Sequence, residues 1–232
     1  MRIYGMEKLS LVDFDGKVAC TLFTGNCNFR CGFCHNSPLV LDYKFLPEID
    51  ESEVFAYLSK RKGILEGVCI SGGEPTLEKD LPLFIEKVKN LGYAVKLDSN
   101  GTNPELIKSL FENGLIDYLA MDIKNNKEDY AKIIGFDKYD TKKVEKSVDF
   151  LLNGKFPYEF RTTLINEFHK KENVALIGEW IKGADKYFLQ KFKNSESCIS
   201  QNLSAVDDKT VLEFRDILQN NVKKVFLRGY DL

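Results

Sequence analysis

Apolar positions along this chain fall into two rhythms that take turns from start to end: short β-branched or aromatic runs that suit strands, and three-to-four spacings that suit one face of a helix. The pattern opens on a hairpin, with strands at 9–14 and 17–24 around a turn at Asp15 and Gly16. A long polar loop follows. Asp50 and Glu53 have capping-box spacing ahead of a helix to about residue 62, and 67–70 reads as a short buried strand. Leu81, Phe84, Ile85, Val88 and Leu91 then form one helical face, 93–97 a strand, Leu106, Ile107, Leu110 and Phe111 another face, and 116–123 another strand. Val144, Val148, Leu151 and Leu152 precede a strand around Phe160. Val174, Ile177 and Ile181 precede one at 187–190, and Val211, Phe214 and Leu218 precede the last at 225–227.

Roughly six strand-then-helix units with a closing strand predict an α/β fold whose parallel sheet is covered by helices. No linker stands out. The expected organisation is one domain over 1–232, an amino-terminal hairpin extension at 1–16 followed by a β/α core at 17–232. Periodicity leaves an open doubly wound sheet and a partly closed barrel both possible, but in either fold ligands sit at the carboxyl ends of the strands. Segments that directly follow strands therefore matter most.

Composition narrows the class. At 232 residues, 44% apolar and 29% charged, the chain is an ordinary globular protein rather than a disordered, collagen-like or coiled-coil one. Lys plus Arg is 33 against 35 for Asp plus Glu, a net charge of -2, so neither nucleic acid nor anionic lipid is an expected partner. No apolar run approaches the roughly 18 residues needed to cross a bilayer, and the first ten residues lack the apolar stretch of a signal peptide, which predicts a cytoplasmic protein. Residues 124–146 carry seven Lys, but Glu128, Asp129, Asp137, Asp140 and Glu145 are interleaved with them. That mixture reads as a solvated helical surface.

Of six Cys, three are clustered: Cys27, Cys31 and Cys34 form C-x3-C-x2-C in the loop after the first core strand. In a reducing compartment clustered thiols point to a metal rather than to crosslinks. Structural zinc usually takes four ligands as two separated pairs, whereas this chain has no second Cys pair and only two His, of which His35 is poorly placed beside Cys34. A four-iron cubane has four corners, so three Cys would leave one iron open to a small molecule. Zinc, or three unligated core thiols, remain the alternatives on spacing alone.

The stretch CNFRCGFC, with Phe33 in an aromatic slot, resembles the C-x3-C-x-aromatic-C signature of the radical S-adenosylmethionine (radical SAM) enzymes. The longer LVDFDGKVACTLFTGNCNFRCGFCHN is similar to the start of activating proteins for anaerobic ribonucleoside-triphosphate reductase, and less so to pyruvate formate-lyase activases; His35 and Asn36 continue the match. The resemblance implies a partial (β/α)6 barrel, a [4Fe-4S] cluster held by Cys27, Cys31 and Cys34, and S-adenosylmethionine at the open iron. It implies that the reduced cluster cleaves the cofactor to methionine and a 5'-deoxyadenosyl radical, which takes the alpha hydrogen of one Gly in a partner glycyl-radical enzyme. A low-potential donor such as flavodoxin or ferredoxin would supply the electron. Rival expectations are another glycyl-radical enzyme of the pyruvate formate-lyase type, a small-molecule substrate, or a zinc-stabilised binding module.

Further segments at strand ends extend the resemblance. Gly72, Gly73 and Glu74, in SGGEPT, resemble the family's GGE motif, which implies that backbone and acid hold the cofactor's amino group; by itself SGGEPT is a glycine turn. Asp98, Ser99 and Asn100, with Asp122 and Lys124, resemble segments that lie around the cofactor's carboxylate and ribose. Buried carboxylates need partners, for which Lys124 or a monovalent cation would serve. The plainer reading makes Asn100 and Gly101 a turn and Asp122 a cap. Arg161, a charged residue in the fifth strand, is expected to face a ligand or a carboxylate and resembles the activases' Arg near the cofactor. Gln190 and Phe192 resemble an LQ-x-F strand end of the reductase-activating branch, or form an ordinary strand edge. His169 reads as surface, Trp180 as helix packing, Cys20 and Cys69 as small buried hydrophobes, and Cys198 as a loop thiol without a partner.

Overall fold

Strands and helices alternate through residues 1–230, which the computed structural model describes. Contacts within the chain gather into two compact units: Met1–Asn28 with Asn36–Ala120, and Phe29–His35 with the chain from Met121 on.

In the first unit β1 (Gly5–Ser10) runs antiparallel to β2 (Ala19–Thr24), and β2, β3 (Gly67–Gly72) and β4 (Ala94–Ser99) are parallel neighbours. The expected hairpin is there, but its first strand starts at Gly5 rather than Leu9. Ser10 Oγ accepts from the backbone N–H groups of Val12 at 3.3 Å and Asp13 at 3.2 Å, a local turn that takes the chain out of the ladder. Leu11 and Val12 are consequently 68% and 75% exposed while Phe14 folds back to 4%. The apolar run suggested a strand; the serine turn ended it. Four helices accompany these strands: α1 (Ser37–Leu41), α2 (Glu51–Lys60), α3 (Leu81–Asn90) and α4 (Pro104–Glu112). Asp50 caps α2 by accepting from Ser52 N at 2.7 Å.

The helices bury the faces that their spacing marks out: Val54 and Leu58, then Leu81, Phe84, Ile85 and Val88, then Ile107, Leu110 and Phe111. With Val68, Ile70, Val95 and Leu97 of the strands they make the core, each such side chain contributing about 1.5–3 kcal/mol by leaving water. Cys20 and Cys69 are fully buried, as expected, and burial pushes the Cys20 thiol up to about 12.

Strand β5 (Tyr118–Asp122) begins in the first unit and ends in the second. There follow α5 (Tyr130–Ile133), α6 (Lys142–Asn153), β6 (Tyr158–Leu164), α7 (Lys171–Trp180), β7 (Tyr187–Lys191), α8 (Asp208–Leu218) and β8 (Val225–Arg228). Strands β6, β7 and β8 are parallel, and the α/β class expected from the alternation is the one observed. Their register sets Arg161 beside Phe188 and Phe226, one residue out of step with Phe160, Tyr187 and Val225, so Arg161 stands on the opposite face from Phe160. The lysine-rich stretch is solvated as expected, with surface pairs such as Lys127–Glu145; Lys124 is the exception. Among the described residues no helix is long and apolar enough to cross a membrane.

Candidate active site

Three strand ends are knitted together in the first unit. Gly73 N donates to Thr24 O at 2.9 Å and Glu74 N to Asn26 O at 2.8 Å, so the glycine turn after β3 lies directly on the backbone after β2. Asn36 Nδ2 adds a bond to Gly72 O at 3.1 Å. Only glycine fits here. A Cβ on Gly73 would lie 1.9 Å from Asn26 O, and Gly72 has φ +114° with Thr24 O 2.4 Å from its missing Cβ. Because the obstacle is backbone, Gly73→Ala is expected to cost about 3 kcal/mol, read as a lower denaturation midpoint at unchanged m-value.

Glu74 is 1% exposed and is met by neutral donors. Its Oε1 accepts from Thr76 N at 3.1 Å, Thr76 Oγ1 at 2.6 Å and Ser99 Oγ at 2.9 Å, and its Oε2 accepts from Asn100 N at 2.7 Å. Burial pushes the carboxyl above its ordinary value, and the donors from Thr76, Asn100 and Ser99 pull it back. Each carboxylate oxygen accepts about two bonds, so Oε2 keeps room for one more donor.

Asn100 does more than turn the chain. Its Oδ1 accepts from Thr102 N and Oγ1, at 3.1 and 2.7 Å, and its Nδ2 donates to Asn28 Oδ1 at 2.8 Å and lies 3.9 Å from Cys27 Sγ. Asn28 Nδ2 closes the ring on Thr102 Oγ1 at 2.8 Å. The first cysteine is therefore tied to the end of β4. Just upstream, Asp98 receives Lys96 Nζ at 2.5 Å and Ser71 Oγ at 3.1 Å. Lys96 was missed in the sequence, although a Lys between Val95 and Leu97, two residues before an Asp, puts both side chains on one strand face.

The second unit holds the rest of the cysteine loop. Cys34 N donates to Cys31 O at 3.1 Å, Arg30 N to Ile134 O at 2.9 Å, and Ser200 N to Gly32 O at 2.8 Å. Burial pushes the Cys31 thiol up to about 11, with Lys124 acting in the other direction. Asp122 sits between Arg161 Nε at 2.5 Å and Lys124 Nζ at 2.8 Å. Burial opposes its charge, but those two cations outweigh burial and hold the carboxyl well below the usual range. The expected carboxylate partner of Arg161 is thus Asp122, and protein cations meet both Asp98 and Asp122. Lys124 Nζ also lies 5.6 Å from the centre of the Phe33 ring, linking the β5 end to the cysteine loop.

Two expectations need correction. His169 is 1% exposed rather than on the surface: Ile165 N donates to its Nδ1 at 2.9 Å, so the proton is on Nε2, which donates to Lys124 O at 2.9 Å. A polar connection looked solvated in the sequence because its folding back over β5's end is a tertiary event. Cys198 is 5% exposed, its Sγ 3.9 Å from Phe33 O and 3.5 Å from Ser195 Oγ. It belongs to a segment after β7 that grips the cysteine loop: Phe192 stacks on His35 at 5.6 Å, and His35 Nε2 reaches Lys193 O. Gln190 is the penultimate residue of β7, half-buried, in register with Thr163 and Arg228.

In its chemistry this donor set suits an iron–sulfur cluster with an open corner better than tetrahedral zinc, while among the described residues no three His, Cys, Asp or Glu side chains are grouped so as to hold a metal ion. Three thiols lie within eight residues, and both His of the chain already hold backbone groups. The sequence profile of the radical SAM superfamily matches residues 21–177.

The chain belongs to that superfamily. The match runs from β2 into α7, across the cysteine loop and the ends of β2 to β6, and stops before β7. As a radical SAM enzyme the protein uses a [4Fe-4S] cluster and S-adenosylmethionine in an oxidoreductase-type reaction. It is 32% identical to a Methanocaldococcus jannaschii protein named as a candidate glycyl-radical enzyme activating enzyme, over 84% of this chain and 81% of that one. It is also 32% identical to a Pyrococcus abyssi protein named as a probable GTP 3',8-cyclase, over 59% of this chain and 46% of that one. Solved structures with the same fold include a domain of pyruvate-formate lyase-activating enzyme from Bacteroides vulgatus, at TM-score 0.54 and 17% identity over 70% of this chain and 99% of that one. Another is Streptococcus suis SuiB bound to S-adenosylmethionine, at TM-score 0.67 and 13% identity over 91% and 52%.

Proposed function

We propose that this radical SAM protein is a cytoplasmic activase that installs a glycyl radical on a partner enzyme, an anaerobic ribonucleoside-triphosphate reductase, using electrons from a low-potential donor such as flavodoxin or ferredoxin. The observation that carries this reading is the likeness to a named glycyl-radical enzyme activating enzyme across 84% of the chain. The cyclase likenesses are either shorter, 32% identical over 59% of the chain, or weaker, 28% identical over 90% of it, and favour a small-molecule substrate as the second reading.

In this reading Cys27, Cys31 and Cys34 hold the cluster and leave one iron for the cofactor. Bound together, cluster and S-adenosylmethionine supply a one-electron cleavage that ends with the alpha hydrogen of a partner Gly on 5'-deoxyadenosine. The chain's own work is binding and orientation. Gly72 and Gly73 offer backbone without side-chain bulk, and Glu74 Oε2, with one accepting position left, takes an ammonium N–H. Asp98, Ser99 and Asn100 line the β4 end, with Asn100 holding the Cys27 side in place. Asp122 and Lys124 at the end of β5 form a charged triad with Arg161 from the middle of β6, where Lys124 and Arg161 suit a carboxylate.

The test uses iron-loaded protein without oxygen, S-adenosylmethionine, a reductant and the purified reductase. A Gly-centred electron paramagnetic resonance doublet that collapses when the partner carries α-deuterated glycine is expected. Silence with a partner that another activase can charge overturns the reading, and conversion of GTP in a mixture that omits the reductase selects the cyclase-like one.

A further inference from the structure

We propose that Lys96 is a positioning residue whose ammonium serves as a built-in counter-cation for Asp98, so that cofactor binding needs no monovalent cation from solution. This rests on reading Asp98 as one of the residues around S-adenosylmethionine.

The argument starts from register. Cys69 of β3 lies beside Lys96 of β4, and two residues further along each strand come Ser71 and Asp98, so these four side chains share one face. The other face carries Val68, Ile70, Val95 and Leu97, all fully buried. Lys96 is 4% exposed as a residue, its Nζ 2.5 Å from Asp98 Oδ1 and 3.9 Å from Cys69 Sγ. Ser71 Oγ donates to the other oxygen, Asp98 Oδ2, at 3.1 Å.

A buried ion pair of this kind is seldom a gain in stability over apolar residues of similar size, because removing both charges from water costs about what their attraction returns. Its value lies in what it fixes. The pair is two positions apart on one strand, so the pleat sets its geometry and no loop has to close. Asp98 directly precedes Ser99 and Asn100, which bond both oxygens of Glu74. Glu74 is met by neutral donors; Asp98 is met by a full positive charge. An anionic cofactor carboxylate near that strand end would encounter a neutralised pair rather than a bare carboxylate.

Lys96→Met keeps the apolar stem and removes the charge. The experiment measures equilibrium binding of S-adenosylmethionine to the cluster-loaded protein, without partner, in choline, sodium or potassium chloride at one ionic strength. Wild type is expected to bind equally in all three. Lys96→Met is expected to bind about tenfold more weakly in choline, recovering in sodium or potassium as a solvent cation takes the ammonium's place, while Lys96→Arg follows wild type. Lys96→Met/Asp98→Asn, with neither charge, is expected to lose the cation dependence. A sodium or potassium requirement in wild type overturns the proposal, and that measurement needs no variant to fold. So does tight binding by Lys96→Met in choline. Unchanged affinity in Asp98→Asn removes Asp98 from the cofactor site, and with it this role of Lys96. None of these readouts depends on the glycyl-radical partner, so a wrong partner leaves them intact.

Discussion

Cys31→Ala, prepared without oxygen, is expected to keep its helix and strand content but retain almost no iron or sulfide and lose reductive cleavage of S-adenosylmethionine. Cys31 is buried at 7% exposure, and burial pushes its free thiol up to about 11, so cluster assembly must displace a firmly held proton there. That makes the site dependent on the iron–thiolate bond itself. Serine does not substitute, since its hydroxyl is still harder to ionise. The internal control is Cys198→Ala: this thiol also touches the cysteine loop, through Phe33 O, yet lies outside the C-x3-C-x2-C run. It is expected to keep full iron content. Equal iron retention in Cys31→Ala and Cys198→Ala would remove Cys31 from the cluster.

Asp122→Asn is the second large effect. The side chain is shared by Arg161 Nε and Lys124 Nζ at 2.5 and 2.8 Å, and losing its charge leaves two partly buried cations facing each other. With side-chain exposures of 23% for Asp122, 13% for Arg161 and 16% for Lys124, the cost falls between the exposed and fully buried limits, about 2–3 kcal/mol in denaturant unfolding. The pH dependence has a definite sign. The folded carboxyl is held below its unfolded value of about 3.9, so its contribution is complete above that value and fades as pH falls through the folded one. The gap between wild type and Asp122→Asn is therefore expected to be flat from neutral pH down to about 5 and to narrow only in stronger acid. A gap that changes between pH 6 and 8 would point to a different group.

How much of this was legible beforehand follows from the range of the forces involved. The spacing of Phe84, Ile85 and Val88, and of Val211, Phe214 and Leu218, announces helix faces because burial of one face is a local, periodic demand. The glycine turn at Gly72–Gly73 and the cysteine spacing are also written in consecutive residues. The first strand's end was misjudged because the Ser10 hydroxyl, accepting from two backbone N–H groups, turns the chain out of the ladder ahead of the apolar run at Leu11 and Val12. His169 was misjudged because its two backbone partners, Ile165 and Lys124, lie on either side of a strand that had yet to fold.

The sequence alone determined the α/β alternation and the run of three thiols, since each is encoded in spacing along a few turns or strands of chain, and the cofactor class followed from the family resemblance that the cysteine run and the glycine turn carry. Only the tertiary structure decided that Ser71 joins Lys96 on Asp98, that Arg161 reaches the Asp122 already beside Lys124, that Asn100 reaches Cys27, and that the segment after β7 grips the cysteine loop. Those are pairings of charges and hydrogen bonds whose strength depends on distance and burial, and neither quantity exists until strands far apart in sequence lie side by side.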